Sequence, residues 1–170
     1  MKKILLSAVM LIGLTLSVNS QEIRKNAIGL RIGDNDGVGA EISYQRALGK
    51  NNRLELDLGL RDSKYYDAMK ITALYQWVWN ISGGFNWYAG AGGGLGTYKF
   101  KDDYDFPGND NDNYDDSGTF LFVAGDIGIE YVFDFPLQLS LDLRPELYFG
   151  DEFRENSFGP DIALGVRFTF

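Results

Sequence analysis

Two stretches of this 170-residue chain carry residue types and spacings from which chemistry could be built. The first is Gly90-Ala91-Gly92-Gly93-Gly94-Leu95-Gly96. A phosphate cradle needs a strand, a glycine turn and then a helix whose N-terminus faces the anion. No helical period follows this stretch. Gly90, Gly92, Gly94 and Gly96 instead share one face of a strand, where missing side chains make room for long neighbours or allow sharp curvature.

The second is the segment 101–117, with Asp102, Asp103, Asp105, Asp110, Asp112, Asp115 and Asp116 around Tyr104 and Tyr114. Asp110-Asn111-Asp112-Asn113 begins like an oxygen-ligand calcium loop. The glycine and terminal glutamate of an EF-hand are missing at the required spacing, and the plain reading is a solvated acidic loop. The chain has no histidine and no cysteine. Serine–histidine–acid triads, cysteine nucleophiles, and zinc sites built on those ligands are therefore unavailable. Disulfides and lipid attachment at a lipoprotein cysteine are excluded with them. No carboxylate pair stands out for acid–base work. The sequence thus assigns no catalytic, cofactor-binding or metal-ligating residue and no cofactor, and it predicts no enzyme.

The start of the chain reads as an export signal. Met1-Lys2-Lys3 is a short positive region, and Ile4 to Val18 is apolar without a charge. Val18-Asn19-Ser20 offers side chains that a signal peptidase accepts, which predicts cleavage before Gln21. The run is short for a membrane anchor and no basic stop-transfer cluster follows. The expected organisation is a signal peptide over 1–20 and one domain over 21–170.

Removing Lys2 and Lys3 leaves 14 basic against 24 acidic residues. Nucleic acid is therefore not an expected partner, because phosphate binding needs a basic footprint. Aromatics make up 15% of the chain, glycines number 21, and the mean hydropathy is −0.19. That is too polar for a helical membrane protein, but it suits a barrel whose strands show every second residue to lipid.

Period two runs through the mature chain. Leu54, Leu56, Leu58 and Leu60 alternate with Glu55, Asp57, Gly59 and Arg61. Leu137, Leu139, Leu141 and Leu143 alternate with Gln138, Ser140, Asp142 and Arg144. Ile162, Leu164, Val166, Phe168 and Phe170 alternate with Asp161, Ala163, Gly165, Arg167 and Thr169. A helix would scatter these apolar residues around its circumference, whereas a strand gathers them on one face. The same rule predicts strands at 26–33, 38–47, 53–62, 68–80, 84–100, 118–133, 137–149 and 158–170.

The second, fourth and sixth connections (Leu48–Asn52, Ile81–Gly84 and Asp134–Pro136) are tight. Residues 63–67, 101–117 and 150–157 are longer or more polar, and Asp34–Gly37 is short. Outer-membrane barrels have an even number of strands, short periplasmic turns and longer outer loops. The even connections are periplasmic if both termini are.

The expected fold is therefore all-β: an antiparallel, up-and-down transmembrane β-barrel of about eight strands. A secreted soluble barrel is the structural alternative. Tyr44, Trp77, Trp79, Phe85, Trp87, Tyr131, Phe133, Phe168 and Phe170 map to one interface, and Tyr98, Phe100, Tyr148 and Phe149 to the other. The expected lumen face carries Arg31, Glu41, Glu55, Asp57, Arg61, Lys70, Asp126, Glu130, Asp142, Arg144, Glu146 and Arg167. Turn positions predict Asp126 opposite Arg144 as an ion pair and Glu130 opposite Ser140. They also bring Arg31, Glu41 and Arg61 together diagonally.

The last strand, alternating back from Phe170 to Ile162, resembles the terminal assembly signal of outer-membrane barrels. The resemblance implies recognition by periplasmic chaperones and the barrel-assembly machinery. In strand pattern, loop parity and terminus the mature chain resembles the small outer-membrane β-barrel family of Bacteroidetes-type bacteria, and more distantly outer-membrane proteins X and W. It implies outer-membrane lipid and lipopolysaccharide as surroundings and carries over no functional residue. Some small outer-membrane barrels modify lipid A, but their usual serine–histidine chemistry has no counterpart here. The expected function is a non-enzymatic surface barrel, structural or adhesive and monomeric. The alternative is a narrow channel or a binding pocket for a small, apolar solute. Divalent-ion bridging between the acidic segment and lipopolysaccharide phosphates is the weaker alternative to the solvated acidic loop.

Overall fold

The computed structural model describes residues 23–33, 39–62, 66–100, 117–149 and 158–170. Residues 1–22, where an export signal is expected, and the acidic segment 101–116 lie outside the described residues. Eight strands follow in chain order: β1 (Asn26–Gly33), β2 (Gly39–Ala47), β3 (Asn52–Asp62), β4 (Tyr66–Ser82), β5 (Phe85–Phe100), β6 (Ser117–Val132), β7 (Gln138–Phe149) and β8 (Phe158–Thr169). Each pairs antiparallel with its sequence neighbours, and β1 pairs with β8 to close the barrel.

The tight connections form as the sequence predicts. Leu48 N–H donates to the Asn52 carbonyl at 2.8 Å, and Phe133 N–H to the Leu137 carbonyl at 3.0 Å. Between β4 and β5, Gly83 takes the positive φ of 52° that a two-residue hairpin turn needs at its first central position. Asn80 Nδ2 ties this turn by donating to the carbonyls of Gly83 at 2.9 Å and Phe85 at 3.2 Å. These turns share one rim with the ends of β1 and β8, where Asn26 N–H and the Phe170 carbonyl meet at 3.0 Å. The opposite rim is where the longer connections attach.

Strand length is uneven. β4, β5 and β6 have 17, 16 and 16 residues, whereas β1 and β2 have 8 and 9. At about 3.3 Å per residue and a tilt near 40°, the long strands rise about 40 Å against an apolar band of about 25 Å. The β4–β6 wall therefore overhangs the loop rim.

The alternation settles which face meets lipid. Leu56 and Leu141 are 41% and 44% exposed on the outer surface, among a belt that includes Ile28, Leu30, Ile42, Leu143, Ile162, Leu164 and Val166. The inside holds Arg31, Glu55, Thr72, Gln76, Glu146 and Arg167, each 1% exposed or less. A water-soluble barrel would have these faces reversed, because a continuous apolar belt facing water is strongly unfavourable. The fold is a transmembrane barrel.

On the turn rim the predicted aromatics form the interfacial girdle. Trp77, Phe85, Phe168 and Phe170 are exposed, and Trp79 stacks on Trp87 with ring centroids 4.3 Å apart. Two aromatics expected in the outer girdle are inside instead. Tyr148 is 5% exposed and joins Leu74, Phe120, Phe122 and Ala124 in an internal cluster, with Tyr98 packed against it. Strand parity is the reason: Tyr148 shares a face with Glu146 and Arg144, and Tyr98 with Gly96 and Gly94. Phe149 does point outward, at 56% exposure. The Phe100 side chain lies outside the described residues.

Candidate functional site: the closed lumen

Two layers of side chains fill the barrel. Nearer the loop rim, the rings of Phe120, Phe122 and Tyr148 meet at centroid distances of 5.7–6.3 Å. The glycine run makes this layer fit. A Cβ on Gly96 would stand 2.3 Å from the Phe120 ring, and one on Gly94 would stand 2.7 Å from the Phe122 ring. Gly94 and Gly96 are thus the bare wall against which β6 stacks its rings, while a Cβ on Gly90 or Gly92 would meet β4 at Gln76 or the Ala73 carbonyl, as the strand reading expects and a nucleotide loop would not require. Lys70 bridges to the next layer, with Nζ 2.9 Å from Glu146 Oε1 and 5.2 Å from the Phe122 ring centroid. Tyr148 donates its hydroxyl to Glu146.

Below lies a connected ionic network built on arginines. Arg31 donates through Nη2 to Asp142 at 2.5 Å, and through Nη1 to Glu41 at 2.9 Å and Asp161 at 2.7 Å. Arg144 Nη2 lies 2.9 Å from both Glu55 Oε1 and Asp57 Oδ2, and its Nη1 lies 3.5 Å from Glu41. Arg167 donates to Ser43 at 3.0 Å, Ser140 at 2.8 Å and Glu55 at 3.3 Å. Arg53 donates to Glu130 at 2.6 Å and Gln76 at 2.5 Å, with its guanidinium carbon 4.7 Å from the Tyr88 ring centroid.

Glu55 is the hub of the network. It also accepts from Gln45 at 2.5 Å and Gln76 at 3.2 Å. Gln138 closes the turn-rim end by donating to Gln45 at 3.0 Å and Glu130 at 2.9 Å, and Asn86 of β5 donates to Glu130 at 3.1 Å. All eight strands contribute to this mesh.

The predicted lumen residues are buried as expected, with Lys70 half-buried. The Arg61 side chain lies outside the described residues. Arg31 and Glu41 pair directly in register and form an ion pair. Glu130 stands opposite Ser140 as predicted. The predicted Asp126–Arg144 ion pair does not form. The register pairs Ala124–Glu146 and Ile127–Leu143 bracket the two residues at one level, but Arg144 reaches β3, and Asp126 accepts a hydrogen bond from Gln76 instead. The arginine side chain is long enough to cross a narrow lumen to a denser group of carboxylates.

Sequence reasoning missed Arg53, Gln45, Gln76 and Asn86, and it placed Gln138 and Asp161 on the polar alternation without counting them among the lumen charges. Each lies on the polar parity of its strand, a signal that was available. Most lumen carboxylates are held by ion pairs or hydrogen bonds that cross-brace strands, an arrangement that neutralises buried charge. No group of acidic residues suited to a metal ion occurs among the described residues.

No family model matches the chain, and no curated protein matches it. Solved structures do. The N-terminal β-barrel domain of Pseudomonas aeruginosa OprF matches with TM-score 0.61 at 18% identity, over 86% of this chain and 98% of that one. Neisserial surface protein A matches with TM-score 0.61 at 15% identity, over 85% and 94%. Ail, the attachment invasion locus protein of Yersinia pestis, matches with TM-score 0.51 at 15% identity, over 85% and 96%. At these identities the likeness is one of fold, and the fold is that of the small eight-stranded transmembrane barrels.

Proposed function

We propose that this chain is a non-enzymatic, integral outer-membrane barrel whose role is structural or one of surface interaction, of the adhesion type. The observation that carries this reading is the occupied lumen: among the described residues, an aromatic layer lies over a buried arginine–carboxylate mesh, which favours a filled barrel over an open pore. A braced cylinder of this kind serves as a rigid base for its loops, and the tall β4–β6 wall lifts those loops above the bilayer. The names of the matched neighbours, a surface protein and an attachment protein, support display at the cell surface. By strand pattern and loop parity we read the chain as one of the small barrels of Bacteroidetes type, exported through its leader and assembled as a monomer. Short turns belong to the periplasmic side, which puts the long connections outside.

Planar-bilayer recording tests the reading. The protein inserted from detergent is expected to be electrically silent, and stepwise conductance would favour the narrow-channel alternative. Calcium titration of the folded barrel separately tests the acidic segment, for which no stabilisation is expected.

A further inference from the structure

The turn rim is anchored differently on its two sides. On the β4–β8 side it carries the aromatics Trp77, Trp79, Phe85, Trp87, Tyr131, Phe133, Phe168 and Phe170. On the β1–β2 side it carries one aromatic, Tyr44, beside the exposed Arg24, Lys25, Arg46 and Lys50. Register holds Lys25 beside Arg46. Asn26 pairs with Arg46, Arg46 Nη1 donates to Asn26 Oδ1 at 2.8 Å, and Ala47 N–H donates to the Lys25 carbonyl at 2.9 Å. Lys50 sits in the turn that follows. Among the described residues, the acidic side chain at this rim outside the lumen is Asp134.

Depth singles out the partner. Arg46 continues the lipid-facing stripe Ile42–Tyr44, so its guanidinium leaves the apolar belt where headgroups begin, and Arg24 precedes β1 at the same rim, with Nη2 3.5 Å from the Phe133 carbonyl of the β6–β7 turn. Leu48, 57% exposed, flanks Arg46 on the same stripe.

We propose that this basic corner of the β1–β2 hairpin binds the headgroups of anionic phospholipids, of the phosphatidylglycerol type, in the leaflet facing the turns. The proposal rests on the membrane-barrel reading, and the test separates the two. The full chain is reconstituted into phosphatidylcholine vesicles with and without phosphatidylglycerol. Insertion is read from heat-modifiable electrophoretic mobility, and lipid preference from spin-labelled phosphatidylglycerol against spin-labelled phosphatidylcholine.

Each surface lysine or arginine contributes about 1 kcal/mol toward an anionic lipid, about a fivefold preference. The wild type should therefore favour phosphatidylglycerol about tenfold or more in low salt and lose much of that preference in 0.5 M salt (roughly a 4 Å Debye length). Joint substitution Arg24→Gln, Lys25→Gln, Arg46→Gln and Lys50→Gln should bring the ratio close to one, whereas Lys99→Gln at the loop rim should leave it unchanged. The paired variants Arg24→Gln with Arg46→Gln, and Lys25→Gln with Lys50→Gln, should each give an intermediate ratio, which keeps the test decisive if the quadruple variant does not insert. An inserted wild type without preference, or a preference that survives all four substitutions, overturns the proposal. A wild type that never inserts overturns the membrane reading and this proposal with it.

Discussion

Arg144 and Glu55 face each other across the barrel, from β7 and β3, with Nη2 and Oε1 2.9 Å apart. The two strands are four positions apart in a ring of eight, so this contact spans the lumen and does not bridge neighbours. It is reinforced because Glu55 also receives Arg167, and Arg144 also meets Asp57 and Glu41.

Arg144→Ala should therefore lower stability by about 3–5 kcal/mol, the usual result of leaving buried carboxylates uncompensated. Asp126→Ala should cost only about 1 kcal/mol, because it removes one hydrogen bond from Gln76, which keeps Glu55 as a partner. Reversible urea unfolding in lipid vesicles checks both values. Equal losses would mean that the lumen pairs across neighbouring strands after all.

The aromatic layer makes an opposite demand, for absent atoms. Gly96→Val should cost about 1–3 kcal/mol by overpacking against Phe120, while Gly49→Ala, which meets nothing within 4 Å, should change little. Combining Gly96→Val with Phe120→Ala should recover part of the loss, since the new methyls enter the space the ring leaves. A double-mutant cycle on unfolding free energies measures that coupling.

The outer belt should show depth-dependent sensitivity to charge. Leu141→Arg, in the middle of the lipid-facing stripe of β7, should cost about 2–4 kcal/mol, and Leu48→Arg at the turn rim about 0–1 kcal/mol. The same unfolding assay checks this, and a uniform response would contradict a bilayer midplane at Leu141.

Much of this barrel was legible before any coordinates. Strand positions emerged because a residue on a β-strand has only two faces to choose from, and a membrane barrel makes those faces chemically opposite. Leu137–Leu143 against Gln138–Arg144 is enough to place β7, and the tight connection at 134–136 gives its pairing with β6 and their antiparallel direction. The same parity could have moved Tyr98 and Tyr148 inward. They were misplaced where an expectation about girdles overrode the alternation. The lumen fit of Gly94 and Gly96 was also anticipated in kind, though not the rings that fill it.

By itself, the sequence determined which residues turn inward and which meet lipid, because that depends only on local period and polarity. The tertiary structure alone decided who pairs with whom: Arg144 with Glu55 and not Asp126, and Arg31 with three carboxylates from three strands. Closing the sheet brings residues more than a hundred positions apart within reach of one guanidinium. Their competition is settled by the width of the lumen and the length of each side chain, neither of which a linear pattern contains.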